Sequence, residues 1–250
     1  MNSRASIRQF NPAQVADISR DLVAMFEELC RPSLDFTTVQ GETFKSLDLR
    51  WYERVTTALR GVGYRPVADV QENAVIPAEL APGFRRLLLA ADGHTRVEVS
   101  HTVWRHQLRL RNFFRTWAWD KGKYSIQFTT EFSDGSFCET TTEPQVCDVG
   151  PGFTVQHLPV NLSVQTILLR HKQLVLRYLR DRSSLEAVKL AGLTELFASI
   201  NRAQAKRAQE RLARGVFSEA ELWRLGHAPA LASHLAAEMR RQRGLLAPGA

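Results

Sequence analysis

The chain predicts an α+β fold: N-terminal helices, a central antiparallel sheet of about four or five strands, and a C-terminal helical region. Three observations carry this expectation. Between Phe84 and Thr142 residues alternate in character, and turn dipeptides interrupt the alternation at Asp92-Gly93, Lys121-Gly122 and Asp134-Gly135. Before that stretch, and again after Leu162, apolar residues recur at three- and four-residue spacing. With 250 residues, 44% of them hydrophobic, the chain can bury a sizeable core, which excludes wholesale disorder.

Asn11-Pro12 opens the first helix, an N-cap followed by proline at the first helical position. Val15, Ile18, Leu22, Met25, Phe26 and Leu29 line its apolar side, and Arg31-Pro32 stops it. Ser33–Glu42 reads as a loop. A second helix is expected from about Thr43, with Phe44, Leu47, Trp51, Val55 and Leu59 inward and Gly61 and Gly63 as its left-handed stop. Tyr64–Gln71 fits a short strand; Pro77 and Pro82-Gly83 then keep the chain irregular up to the sheet.

Arg86–Ala91 and His94–Trp104 read as strands around Asp92-Gly93. In the second, Val97, Val99, His101 and Val103 share one face and Arg96, Glu98, Ser100 and Thr102 the other. Tyr124, Ile126, Phe128, Thr130 and Phe132 repeat the pattern, and Asp134-Gly135 returns the chain through Phe137–Thr142. His106–Trp119 fits either strand or helix. Three prolines and two glycines make Glu143–Asn161 a loop or boundary.

From Leu162 the pattern is helical. Leu168, Leu169, Val175, Leu176 and Leu179 mark a first apolar helix. A long second helix is expected over about Ser184–Arg214, with Leu190, Leu193, Leu196, Phe197 and Ile200 at core spacing. Ser218–Glu221 is a capping box that opens a third, and Pro229 starts a fourth that runs to about Arg243. The expected organisation is an α+β region over 1–160 and a helical region over 161–246 packed on the sheet as one domain.

Some of these parts also occur together elsewhere. The run Glu53–Tyr64 ends a helix at a Gly-aromatic step and enters a strand; Thr129–Phe137 is followed by a threonine run and then by Leu168-Leu169-Arg170-His171. In this the chain is similar to a loose family of uncharacterised bacterial proteins, over about Trp51–Leu222. Many members carry membrane helices, which this chain lacks. The resemblance implies no activity and no functional residue.

The net charge of +7 is unevenly placed. Residues 1–164 hold 18 Lys+Arg against 19 Asp+Glu; residues 165–250 hold 15 against 7. The basic excess therefore sits in the C-terminal third. It suits nucleic acid, acidic lipid or an acidic protein partner, or reflects a compositional preference for arginine. Three cysteines leave one unpaired and point to a reducing compartment. No apolar run approaches a membrane span, and the N-terminus has charge without an apolar core, so a soluble cytoplasmic protein is expected.

Motifs with a known mechanism are missing: no phosphate loop, no dinucleotide fingerprint, no nucleophile elbow, no His-Glu-x-x-His. No catalytic residue, metal or cofactor is expected. Cys138, Cys147 and His157 have metal-ligand character, but their spacing matches no zinc pattern. His171, between Arg170 and Lys172, could bind an anion or act as a base, though such a histidine more often sits at a helix margin.

The chemically richest stretch is Trp104–Trp119. If extended, it sets Arg105, Arg109, Arg111, Arg115, Trp117 and Trp119 on one face, where guanidinium groups pair phosphates and rings stack bases. The bland alternative is an arginine-solvated sheet face. Arg202, Lys206, Arg207, Arg211 and Arg214 form a basic band, otherwise the solvated side of an amphipathic helix. The last two helices resemble a helix-turn-helix without a polar reading face. Three functions are compatible with these features: a non-catalytic binding or protein-interaction module, a nucleic-acid-associated protein using the arginine–aromatic strand and the basic C-terminal helices, and an enzyme of unrecognised type with a sheet pocket around His101 and Trp104–Trp119.

Overall fold

The computed structural model describes residues 10–73, 81–103, 123–180, 182 and 184–245. Among them it is α+β. The strands are β1 (Phe36–Thr38), β2 (Tyr64–Glu72), β3 (Arg85–Ala90), β4 (Thr95–Thr102), β5 (Lys123–Glu131), β6 (Phe137–Thr141) and β7 (Phe153–His157). They form one sheet in chain order, antiparallel throughout except for the parallel pair β6–β7. The helices are α1 (Pro12–Leu29), α2 (Leu49–Arg60), α3 (Val164–Arg180), α4 (Leu193–Arg214), α5 (Glu219–Arg224) and α6 (Pro229–Gln242).

The chain divides into two compact units. The sheet unit takes Ser33–Pro144 and Pro151–Gln204; the helical unit takes Met1–Pro32, Gln145–Gly150 and Ala205–Ala250.

In the sheet unit, strand alternation decides which layer each residue joins. Val97 and Val99 on β4, Leu88 and Ala90 on β3, and Ile126 and Phe128 on β5 turn to one face. Tyr52, Val55 and Leu59 of α2 and Ile167 and Leu168 of α3 cover that face. On the opposite face α4 crosses the strands. Leu196 and Ile200 pack with Leu87 and Leu89 of β3, Ser199 meets Arg96 of β4, Arg202 meets Glu131 of β5, and Ala203 packs on Phe137 and Phe153 of β6 and β7. A helix face repeats every three to four residues, so these positions form one stripe.

In the helical unit, Asn11 caps α1 by accepting from the Ala13 N–H at 3.0 Å, and Pro12 takes the first helical position. Leu22 and Phe26 pack with Ala232, Leu235, Ala236 and Met239 of α6 and with Phe217. The Ser218–Glu221 capping box is present at α5. Glu221, buried, accepts from the Ser218 and Asp148 N–H groups and from Arg214, which ties the 145–150 segment to α5.

Four expectations are corrected. The second helix starts at Leu49, where Asp48 accepts from the Trp51 N–H at 2.9 Å; Gly41–Thr43 is only a 3-10 turn. Residues 184–192 are not helical. Their backbone bonds the sheet instead, Val188 N–H to Glu131 and Leu190 N–H to Gly93. Phe153–His157, within the stretch expected to be a loop or boundary, is β7. Phe36–Thr38 is a strand, so the described residues alone supply seven strands to the sheet rather than four or five. The Lys121-Gly122 turn lies outside the described residues.

The other two Asp-Gly turns are as expected. Gly93 has φ 79° and Gly135 φ 74°, and each aspartate accepts from the N–H two residues on at 2.9 Å. Their surroundings differ. A Cβ on Gly93 would sit 2.7 Å from the Leu190 carbonyl oxygen, whereas nothing lies within 4 Å of one on Gly135. Both alanine variants suffer the left-handed strain, about 1 kcal/mol. Gly93→Ala also forces the 184–192 segment outward and should lose about 3 kcal/mol in all. Urea unfolding of the two variants checks this; equal losses would contradict the close approach.

Candidate functional site

Arg105, Arg109, Arg111, Arg115, Trp117 and Trp119 lie outside the described residues, and so does the choice between strand and helix for 106–119. The remaining candidates can be placed.

His101 is buried on β4, stacked on Tyr124 with ring centroids 4.3 Å apart. Its Nδ1 accepts from the Asp48 N–H at 3.0 Å. The Asp48 carboxyl, held below its usual range by the Trp51 N–H and the Tyr124 hydroxyl, caps α2. Tyr52, fully buried, donates to the Phe84 carbonyl and accepts from the His101 N–H at 2.8 Å. This cluster fixes the start of α2 on the sheet. With Nδ1 occupied by a backbone donor, that nitrogen has no capacity left to serve as a base.

His171 is not at a helix margin. It lies on the buried side of α3 at 1% exposure, with Nε2 3.0 Å from Thr130 Oγ1 and Nδ1 3.2 Å from Thr140 Oγ1. Burial pulls its pKa down to about 4, so the ring is neutral near pH 7. A neutral imidazole between two hydroxyls cannot hold an anion as a charge partner. Cys138 is fully buried beneath α3 and its thiol is pushed up to about 12 by burial, so it stays protonated and inert as a nucleophile. His157 is exposed, with Nδ1 2.8 Å from the Glu143 carbonyl. Cys147 belongs to the helical unit and Cys138 to the sheet unit. No cluster of three metal-ligand side chains occurs among the described residues.

The basic band of α4 is largely committed to intramolecular contacts. Arg202 grips buried Glu131 with two bonds, 2.5 and 2.9 Å. Arg211 donates to the Leu29 carbonyl at 2.8 Å, and Arg214 pairs with Glu221 at 3.1 Å. In the α5–α6 pair, Ala232, Leu235, Ala236 and Met239 of α6 are spent on a core shared with α1.

The outward side of α3 is different. Seventeen residues from Val164 to Arg180 contain no Asp or Glu, but do contain Arg170, Lys172, Arg177 and Arg180. Ile167, Leu168, His171 and Leu174 face the sheet. Leu169 and Leu176, two of the residues that mark this helix as apolar, are 55% and 68% exposed. They stand seven residues apart, hence about 10 Å along the axis on one side of the helix. Arg170, Lys172, Arg177 and Arg180 flank them, all exposed. Arg170 bonds only Gln173, at 3.3 Å, and no acidic side chain among the described residues pairs with these four.

At its C-terminal end this surface runs into an open cleft of about 480 Å³ lined by Thr154, Leu174, Arg177, Tyr178, Arg180 and Arg182. Tyr178 forms part of its lining and is held firmly. Its ring stacks on Phe132 at 4.9 Å and its hydroxyl donates to Ser136 Oγ at 2.8 Å. Arg182 lies 4.1 Å over the same ring and donates to the Tyr178 carbonyl at 2.9 Å. Sequence reasoning missed this surface, although its signal was present: a helix with leucines on more than one face and no acid.

Among the described residues no helix is long and apolar enough to cross a membrane. Compared with protein-family models, with curated proteins and with solved structures, the chain matches none.

Proposed function

We propose that the protein is a non-catalytic interaction module that docks an acidic, amphipathic helix of a partner protein along the outward side of α3. One observation carries this reading: two exposed leucines at heptad spacing, flanked by four cations on a helix without acids. The spacing matches the apolar repeat of a partner helix packed side by side. Complementary charge would speed encounter and set orientation, while leucine burial contributes about 1–2 kcal/mol per side chain. A nucleic-acid backbone would use the cations and leave the leucines in water. A bilayer surface needs a continuous apolar side, and α3 spends its own on the sheet. All three cysteines are free, which supports a cytoplasmic setting.

The test is fluorescence anisotropy with a labelled peptide of about 18 residues, long enough to form a helix, rich in Glu and carrying Leu at heptad positions. Its scrambled sequence and a single-stranded DNA of similar charge are the comparisons. Saturable binding with a Kd between about 1 μM and about 1 mM is expected, at least tenfold weaker for Leu169→Ser/Leu176→Ser. Equal binding of the scrambled peptide would sink the reading. DNA binding indifferent to the leucine variant would favour the nucleic-acid alternative instead.

A further inference from the structure

We infer that the cleft between the end of α3 and β7 is a binding site for a phosphate monoester group. This goes beyond helix docking and does not depend on it, since Thr154, Tyr178 and Arg182 take no part in the leucine stripe.

Charge singles out the cleft. A helix C-terminus carries about half a negative charge, so an arginine or two in the last turn is ordinary dipole compensation. Arg182, bonded to the Tyr178 carbonyl, does some of that. Yet Arg177, Arg180 and Arg182 all line one cleft. Three guanidinium groups exceed the helix end, with Asp181 counted against them although its side chain lies outside the described residues, by about 1.5 charges. No described acidic side chain pairs with any of the three. A cleft of one sign with a low-dielectric wall concentrates anions; Leu174, Tyr178 and the stacked Phe132 supply that wall.

Geometry then selects the anion. Guanidinium groups match phosphate oxygens two N–H groups at a time, and a monoester offers three terminal oxygens where a carboxylate offers two. The hydroxyl-bearing Thr154, on β7 beside Cys138, adds a neutral donor. Arg182 is pre-organised, its guanidinium carbon 4.1 Å over the Tyr178 ring and one N–H already placed. Ordering it on binding therefore costs less than ordering a free surface arginine. The Tyr178 ring is committed to Phe132 and Arg182, so it offers no platform to a nucleobase. The carrier of the phosphate is accordingly non-aromatic: an aliphatic metabolite or a phosphorylated serine or threonine side chain.

Isothermal titration of the full chain with inorganic phosphate and with O-phosphoserine tests this, against sodium acetate and sodium chloride at matched ionic strength. Saturable heat from both phosphates and none from acetate or chloride is expected. Arg180→Gln/Arg182→Gln should weaken binding about 100-fold, two charge-assisted bonds being lost. Thr154→Val, which leaves the arginines in place should the double variant fail to fold, should weaken it about tenfold. Leu169→Ser/Leu176→Ser should leave phosphate binding unchanged, which separates failure of this site from failure of helix docking. With glycerol phosphate as a third titrant, tighter binding of phosphoserine identifies a phosphorylated side chain as the carrier, and tighter binding of glycerol phosphate identifies an aliphatic metabolite. Absence of saturable heat, an equal response to acetate, or binding that survives the arginine variant would overturn the inference.

Discussion

Arg96→Ala is expected to lower the unfolding free energy by about 3–5 kcal/mol, the loss typical of breaking a buried charged contact from one side. Arg96 is 2% exposed at the centre of the sheet, paired across β3 with Leu89 and across β5 with Thr129. Its Nη1 donates to Ser199 Oγ at 2.7 Å, and its Nε reaches Glu98 at 3.4 Å. Ser199 is itself fully buried, so truncation strands its hydroxyl and opens a cavity beneath α4. The carboxylate of Glu98 keeps Arg85 at 3.3 Å, so most of the loss falls on the α4 side. Arg96→Met breaks the same contacts but fills the volume, so it should recover only the cavity part of the loss, about 1–2 kcal/mol. Urea unfolding followed by circular dichroism reads both; equal losses would mean that the guanidinium contacts, not the volume, hold α4 down.

His171 sets the second large effect. Its folded-state pKa lies at about 4 because burial disfavours the imidazolium, and its unfolded value lies near 6.5. A depressed pKa means that the unfolded chain takes up the proton first. The contribution is therefore complete above about pH 6.5 and is lost as pH falls from there to about 4. The full loss is about 3 kcal/mol. Thr130 and Thr140 can each donate or accept, so the neutral ring is satisfied in either tautomer, but no carboxylate among the described residues contacts it to hold a second proton. His171→Gln should unfold with a shallower pH dependence across that window, while carboxylates that titrate nearby affect both proteins alike. Parallel curves for the two proteins would contradict a buried neutral histidine.

Strands β2 to β6 were legible because alternation and turn chemistry agree there. Val97, Val99 and His101 take one face and Arg96 and Glu98 the other, as the period of two requires. β7 was hidden by its flanks. Pro151, Gly152 and Pro159 read as loop, and a five-residue strand that pairs in parallel needs no hairpin signal. The 184–192 segment misled for another reason. Leu190, Leu193 and Leu196 keep helical spacing across a junction, while Leu185 and Ala187 pack under Phe132 and Val188 and Leu190 pack with Leu87, an alternation proper to an extended chain. Hydrogen bonds to Glu131 and Gly93, invisible in sequence, decide the matter.

The candidate surface was less legible. An apolar run such as Leu168-Leu169 does not say which leucine faces the sheet; that depends on where β5 and β6 pass beneath α3. The cation count of the C-terminal third was correct, but most of its α4 share is absorbed by Glu131, Glu221 and the Leu29 carbonyl. The cations of α3 meet no acid on their own helix.

Methyl NMR of the full chain, labelled at leucine and titrated with the acidic heptad peptide, tests the central claim most directly. Helix docking on α3 predicts that the Leu169 and Leu176 methyls shift first and saturate together, while buried Leu168 and Leu174 on the same helix move little. Shifts confined to Leu212 or Leu245, the exposed leucines of the helical unit, with Leu169 and Leu176 silent, would contradict it.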